Sequence, residues 1–186
     1  RRPELRFVRQ QRADLRHHVR RHRRTGGGHA LHGRQRLAVV GQHLHQRRRS
    51  EQLGDAEARD GEPDAVTTLK QRIIASDGVL LVTPEYNNGI PGVFKNAIDW
   101  MSRGPGLAYF VGKPVALLGA SPGGFGTVLA QNDWLPVLRT LKAVLWAEGR
   151  MLVSRASGLF DENGALTDDR TRAALRDFIA GYSATL

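Results

Sequence analysis

Hydrophobic and polar residues follow a regular pattern only after the first third of this chain. In the first regular stretch, Val66, Leu69, Ile73 and Ile74 fall at i, i+3, i+7 and i+8. This spacing puts the four side chains on one face of a helix. The pattern therefore predicts a helix over about 63–76.

Short unbroken apolar runs alternate with further helical patterns in the rest of the chain. Buried strands are predicted at 79–82, 114–119 and 151–153, and helices at 93–103, at 127–143 and in a last segment that Thr167 or Asp168 caps. The helix at 127–143 carries Leu129, Leu135, Leu138 and Leu141 as its predicted apolar positions. Strands that alternate with helices indicate an α/β domain with a parallel sheet.

The first 50 residues show no period that would bury a continuous face, although Leu5–Val8 and Leu37–Val40 could be strand fragments. This segment holds 15 Arg, no Lys and 2 acidic residues, for a net charge of 15 − 2 = +13. Residues 51–186 hold 13 basic and 16 acidic residues, for a net charge of 13 − 16 = −3. The formal charge of +10 therefore comes entirely from the first quarter of the chain, which also contains all seven His.

Several classes of site are excluded or disfavoured by composition. The chain has no Cys, which excludes disulfides, a thiolate nucleophile and a Cys-ligated metal. No run approaches the ~18–20 apolar residues of a membrane span, and the basic N-terminal segment lacks the apolar core of a secretory signal. We therefore expect a cytoplasmic protein that does not enter a membrane.

Two loops follow predicted strands and hold the candidate chemistry. They are 83–92 and 120–126, and ligands of open parallel α/β sheets bind at the carboxyl ends of strands. In the first loop, Tyr86 offers an aromatic face and Asn87 a two-way hydrogen bond. In the second, Ser121 and the following glycines offer a hydroxyl and backbone amides at a helix N-terminus. Both loops suit a flat ligand with a polar edge.

The first loop carries a recognisable motif. Pro84-Glu85-Tyr86-Asn87, followed by Pro-Gly-Val-Phe-Lys-Asn-Ala-Ile-Asp-Trp-Met-Ser-Arg at 91–103, closely resembles the signature of the NAD(P)H-dependent FMN reductases. This flavodoxin-like family includes bacterial quinone, azo-dye and chromate reductases. Ala-Ser-Pro-Gly-Gly-Phe-Gly at 120–126 resembles the family's second flavin loop. The resemblance covers about residues 60–186.

The resemblance implies a single domain over 1–186 with a doubly wound, five-stranded parallel sheet in the order 2-1-3-4-5 and helices on both faces. It implies FMN as cofactor and NAD(P)H as co-substrate, with hydride passing through flavin N5 to a quinone, azo or metal-type acceptor. The flavin-binding residues carried over, which act largely through backbone groups, are Pro84, Glu85, Tyr86, Asn87, Ser121 and Gly123. Since the flavin carries the chemistry, no catalytic residue and no metal ligand is assigned. A homodimer or homotetramer, built through the helices after both loops, is also implied.

The N-terminal segment departs from the family pattern. The loop that grips the FMN phosphate should fall near 12–22, where the chain has neither Gly, Ser nor Thr. One hypothesis is a basic arm that binds nucleic acid, and a second is a His-rich metal site without Cys or carboxylate partners. The favoured hypothesis is that residues 1 to about 55 are a shifted reading frame of a GC-rich gene, which explains Arg without Lys. The alternative functions are a nucleic-acid-binding protein and a flavodoxin-type electron carrier.

Overall fold

A computed structural model describes residues 36–41 and 61–186 of the chain. The strands and α-helices of this part, in chain order, are β1 (Leu37–Gly41), α1 (Asp64–Ile74), β2 (Gly78–Thr83), α2 (Gly92–Met101), β3 (Pro114–Ala120), α3 (Val128–Thr140), β4 (Val144–Leu145), β5 (Met151–Val153) and α4 (Asp169–Ser183). Two 3₁₀ helices cover Gly104–Tyr109 and Ala156–Leu159. In the described part, no helix is both long and apolar enough to cross a membrane.

The strands form one parallel sheet in the order β1-β2-β3, with β4 and β5 both on the far side of β3. β4 pairs with the start of β3 and β5 with its end, so together they make one interrupted edge strand. The predicted α/β fold with a parallel sheet is confirmed, and the described strands lie in the order β1-β2-β3 followed by β4 and β5. The sequence patterns did not predict β4, which has only two residues.

Each face of the sheet has its own apolar core, because successive side chains of a strand point to opposite faces. In β2, Leu80 and Val82 face α4, whereas Val79 and Leu81 face α1, α2 and α3. Helices therefore cover both faces, as predicted. All six residues of β2 are buried, which explains why this strand reads as an unbroken apolar run.

Some predicted core positions on α1 and α3 are wrong. Ile74 is 50% exposed, and Leu129 and Leu135 are each 43% exposed. In α3 the buried stripe runs through Ala130 and Trp134, and also through Leu138 as predicted. An apolar stripe is about 100° wide, so a residue one step outside it faces solvent whatever its hydropathy.

Other element boundaries agree with the sequence patterns. The strand fragment predicted at Leu37–Val40 is β1, with Ala38 and Val40 buried against β2. Asp168 rather than Thr167 caps α4, since its carboxylate accepts a hydrogen bond from the Thr171 amide at 2.7 Å. The predictions for Leu5–Val8 and for the phosphate loop near 12–22 lie outside the described residues.

Candidate active site at the carboxyl edge of the sheet

The two candidate loops begin side by side. β2 and β3 are in register, so Thr83 lies opposite Gly119 where both strands end. A Cβ atom on Gly119 would lie 2.1 Å from the Thr83 carbonyl oxygen and 2.3 Å from the Thr127 hydroxyl oxygen. Only glycine fits at this position, and its missing side chain is what allows the second loop to approach the first.

The first loop is a tight turn with a defined geometry. Tyr86 and Gly89 exchange two backbone hydrogen bonds, at 3.2 and 3.0 Å. Between them Asn87 and Asn88 have φ values of 50° and 63°, the left-handed backbone that a type I′ turn requires at both central positions. Asparagine is one of the few residues that adopt this conformation readily. The turn therefore presents two exposed amide side chains at its tip.

Glu85 connects the first loop to the helix that follows the second. Its Oε2 atom accepts hydrogen bonds from the backbone amides of Leu129 at 2.8 Å and Ala130 at 2.9 Å. These amides belong to the first turn of α3, where N–H groups have no partner within the helix. Thr127, the residue before α3, makes no capping hydrogen bond with its side chain. Glu85 therefore supplies the cap from another loop and places a negative charge at the positive end of the helix dipole.

The turn tip also approaches α3. A Cβ atom on Gly89 would lie 3.1 Å from a carboxylate oxygen of Asp133. Thus α3 contacts the first loop both at Glu85 and near Gly89. The distance between the two loops is set by these contacts and by the register of β2 and β3.

The second loop is held by its own side chain and by a third segment. The Ser121 hydroxyl is buried and accepts a hydrogen bond from the Gly123 amide at 3.1 Å. Ser121 donates its amide to the Val153 carbonyl at 2.9 Å and accepts from the Ala156 amide at 3.0 Å. The Arg155 amide donates to the Gly123 carbonyl at 3.0 Å. The segment after β5 is therefore a third wall of this edge.

The structure brings together all six residues predicted to bind the cofactor. Pro84 and Ser121 are buried, Glu85 and Tyr86 are half-buried, and Asn87 and Gly123 are exposed. The Glu85 side chain is occupied by α3, which leaves its backbone as the part available to a ligand. The ligand role of the six residues stays a prediction.

Sequence analysis did not single out two residues of this edge. Phe125 in the second loop is 81% exposed, a high value for an aromatic side chain. Arg155 lies beside the second loop, although it comes 32 positions after Gly123, whose carbonyl accepts a hydrogen bond from its amide. No motif or spacing marks Arg155, because its place depends on the pairing of β5 with β3.

The titratable groups with shifted pKa values lie outside the two loops. A hydrogen bond from Lys70 lowers the pKa of Glu62, and hydrogen bonds from Thr171 lower the pKa of Asp168. Burial raises the pKa of Tyr182, whose hydroxyl donates to the Pro114 carbonyl at 2.8 Å. In residues 36–41 and 61–186 no group of three or more His, Asp or Glu side chains could hold a metal ion. The loops offer chiefly backbone groups, amides and hydroxyls.

Comparisons with known proteins give a consistent result. The family model described as NADPH-dependent FMN reductase matches residues 25–158. A 2-hydroxy-1,4-benzoquinone reductase of Burkholderia sp is 40% identical over 66% of this chain and 67% of its own length. An NAD(P)H-dependent FMN reductase of Pseudomonas aeruginosa is 43% identical over 62% of each chain.

Among solved structures, this chain resembles FerB from Paracoccus denitrificans, described as a flavoenzyme NAD(P)H:(acceptor) oxidoreductase. The TM-score is 0.63 with 34% identity, and the match covers 76% of each chain. The family match includes both loops of the candidate site.

Proposed function

Because this chain belongs to the NADPH-dependent FMN reductase family, we propose that it is an FMN-dependent oxidoreductase that passes electrons from NAD(P)H to a small-molecule acceptor. Quinone, azo and metal-type compounds are the candidate acceptors. We favour a quinone, since one relative is named as a benzoquinone reductase. The overall reaction is NAD(P)H + H⁺ + quinone → NAD(P)⁺ + hydroquinone.

The observation that carries this proposal is the hydrogen bonding of Glu85 to α3. A carboxylate left free beside the ring would repel the carbonyl oxygens along the ring edge of FMN. Here the two amides of α3 satisfy that carboxylate and hold the two loops at a set distance. The groups left for the ring edge are backbone groups, the Asn87 amide and the glycine-rich surface of the second loop.

The glycines of the second loop also fit a flat ligand. A Cβ atom on Gly124 would meet nothing within 4 Å, and one on Gly123 would meet only the Ser121 hydroxyl oxygen at 3.4 Å. Neither glycine is required by neighbouring atoms, in contrast to Gly119. We propose that Gly123 and Gly124 leave open backbone for a ring to approach.

The protein's contribution under this proposal is binding and orientation. FMN held between the two loops would supply the redox chemistry, namely hydride acceptance from the nicotinamide through N5 and two-electron transfer to the acceptor. Pro84, Glu85, Tyr86 and Asn87 would hold one side of the ring through backbone and amide groups. Ser121 and Gly123 would hold the other side. No side chain is assigned as an acid, a base or a nucleophile.

Anaerobic spectroscopy of the full chain with bound FMN tests the proposal. We expect NADPH to bleach the flavin absorbance and a molar equivalent of 1,4-benzoquinone to restore it, with hydroquinone as the product. Free FMN at the same concentration is the control for reaction without protein. Protein that binds no FMN, or flavin that NADPH does not reduce, would overturn the proposal; a chain that binds DNA in a salt-dependent way instead would favour the nucleic-acid alternative.

We also propose that the enzyme is a homodimer or homotetramer built through the helices that follow the two loops. Exposed apolar side chains support it, since Val93 of α2 is 40% exposed and Leu129 and Leu135 of α3 are each 43% exposed. Light scattering after size exclusion should give a multiple of the chain mass. Leu135→Glu should shift the enzyme towards a monomer, whereas a monomeric wild type would contradict this proposal.

A further inference from the structure

Arg155 has an unusual backbone for its residue type. Its φ angle is +48°, in the left-handed region that glycine and asparagine adopt most readily. Of the described residues, the others with positive φ that are not glycine are Asn87, Asn88 and Lys142. The two asparagines form the turn tip, and Lys142 follows the end of α3, where left-handed residues are common. At Arg155, in contrast, a long charged side chain stands where glycine would be less strained.

Hydrogen bonds on both sides fix the position of Arg155. Its amide donates to the Gly123 carbonyl at 3.0 Å, and its carbonyl accepts from the Gly158 amide at 3.2 Å. The next amide, that of Ala156, donates to the Ser121 carbonyl at 3.0 Å. The backbone of Arg155 is therefore hydrogen-bonded directly to the second loop, on the same edge of the sheet as the candidate site.

The charge of Arg155 has no partner within the described part of the chain. Its side chain is exposed, and the ion pairs of that part involve Lys70, Lys95 and Arg172 instead. The one carboxylate in the two loops is that of Glu85, which accepts hydrogen bonds from the amides of α3. A cation without a counter-charge thus stands beside the second loop, and a strained backbone conformation at such a place favours a functional role.

We propose that Arg155 binds an anionic group on the small molecule that approaches the candidate site. Two sources share this chemistry: a phosphate of the nicotinamide co-substrate and an ionised substituent of the acceptor. A guanidinium suits both, because its planar set of donors matches the paired oxygens of phosphate, sulfonate and carboxylate groups. The inference rests on the proposed function, since it assumes that NAD(P)H and the acceptor enter this site.

Steady-state kinetics of the FMN-loaded full chain test the proposal with four variants. Arg155→Gln removes the charge, Arg155→Lys keeps it without the planar fork, and Arg155→Gly also removes the backbone strain. Arg176→Gln is the matched control, because Arg176 is an exposed arginine on α4 that forms no ion pair in the described residues. Each variant is assayed with NADPH, with NADH, with neutral 1,4-benzoquinone and with a sulfonated naphthoquinone.

We expect Arg155→Gln to raise KM for one anionic substrate about fivefold or more, with kcat changed little, and Arg155→Lys to fall between it and the wild type. A higher KM for NADPH alone would identify the 2′-phosphate as the group that Arg155 binds. A higher KM for both nucleotides would identify the pyrophosphate, and a higher KM for the sulfonated quinone alone would identify the acceptor. Higher ionic strength should raise the KM of the wild type towards that of Arg155→Gln, because salt screens an exposed ion pair. Arg155→Gly should match Arg155→Gln in KM while its Tm equals or exceeds that of the wild type, which a purely structural role would not produce.

Three results would overturn the inference. One is an unchanged KM for every substrate in Arg155→Gln and Arg155→Gly. The second is an equal change in KM for neutral and anionic substrates alike, and the third is the same change in Arg176→Gln. Failure of the proposed function looks different, since the wild type itself would then not oxidise NAD(P)H.

Discussion

At the scale of single residues, Glu85 and Gly119 do most to join the two loops. Glu85 belongs to a local sequence motif, yet its carboxylate caps a helix that begins 43 residues later. Gly119 is the last residue but one of β3, and a side chain there would collide with the Thr83 carbonyl of the neighbouring strand. Each residue therefore has a role that depends on its partner across the sheet.

Replacing Glu85 should separate the effect of the cap from that of its charge. Glu85→Ala leaves two amides of α3 without a partner and should lower the free energy of unfolding by about 1–2 kcal/mol. Glu85→Gln keeps an acceptor oxygen and loses only the charge, so its cost should be about 0.3–1 kcal/mol. Urea denaturation measures both, and FMN titration should show weaker binding in the same order. Glu162→Ala, at an exposed turn, is the control, and equal stability of Glu85→Ala and the wild type would contradict the assignment of the cap.

A matched pair of glycine substitutions tests the site directly. Gly119→Ala should cost about 3 kcal/mol or more, because its Cβ atom would overlap backbone and side-chain oxygens. Gly124→Ala has open space around its Cβ atom and should leave the unfolding midpoint unchanged. If the ring of FMN approaches this surface, Gly124→Ala will still weaken FMN binding severalfold by our estimate. Unchanged FMN affinity in Gly124→Ala would remove Gly124 from the proposed site.

At the scale of elements, the ends of α3 and α4 are stabilised in different ways. α4 is capped by Asp168, whose carboxylate accepts a hydrogen bond from the amide of Thr171, three residues later. α3 takes its cap from Glu85 in the first loop. A helix at the candidate site is thus coupled to another loop, whereas a helix away from it is capped locally.

The local cap of α4 should make stability depend on pH in a defined direction. Hydrogen bonds from Thr171 place the pKa of Asp168 in the folded protein below its value in the unfolded chain. The stabilisation is therefore fully present above the unfolded pKa and is lost as the pH falls through the folded pKa. Asp168→Asn keeps a capping oxygen that does not titrate.

Thermal unfolding of the wild type and of Asp168→Asn from pH 7 to pH 2 measures how the stabilisation by the cap depends on pH. The wild type should be the more stable near neutral pH, and its advantage should disappear in the acid range. A stability difference that stays constant down to pH 2 would show that the carboxylate charge has no part in the cap.

At the scale of the whole molecule, charge is unevenly distributed along the sequence. The excess of positive charge lies in residues 1–50, whereas residues 51–186 have a net charge of −3. The described fold belongs almost entirely to that second part, apart from β1. The basic composition of the chain is therefore a property of its first quarter and carries no argument about the candidate site.

The hypothesis of a shifted reading frame makes a prediction at this scale. Nucleotide sequencing across codons 1–60 should show an insertion or deletion that restores a Gly- and Ser-containing loop. The intact mass of the purified protein would then differ from the mass of the printed sequence. A gene that encodes these residues in frame, with a protein of matching mass, would contradict the hypothesis.

The sequence by itself determined the α/β class, the parallel sheet, most strand and helix positions and the two loops of the candidate site. These depend on local patterns: apolar runs for buried strands, helical spacing for helices, and turn residues such as Asn87 and Asn88. Such patterns are complete within a few residues, so they can be read without knowing what lies opposite. The motif at Pro84 to Asn87 added the family, which the comparisons confirmed.

Only the tertiary structure decided which groups meet. It showed that Ile74 is exposed, that the Glu85 side chain caps α3, and that Arg155 lies beside Gly123. Each of these facts depends on the register of strands and on the packing of helices against the sheet. Register joins residues that are 30 to 45 positions apart, and no local pattern of hydropathy encodes such a contact.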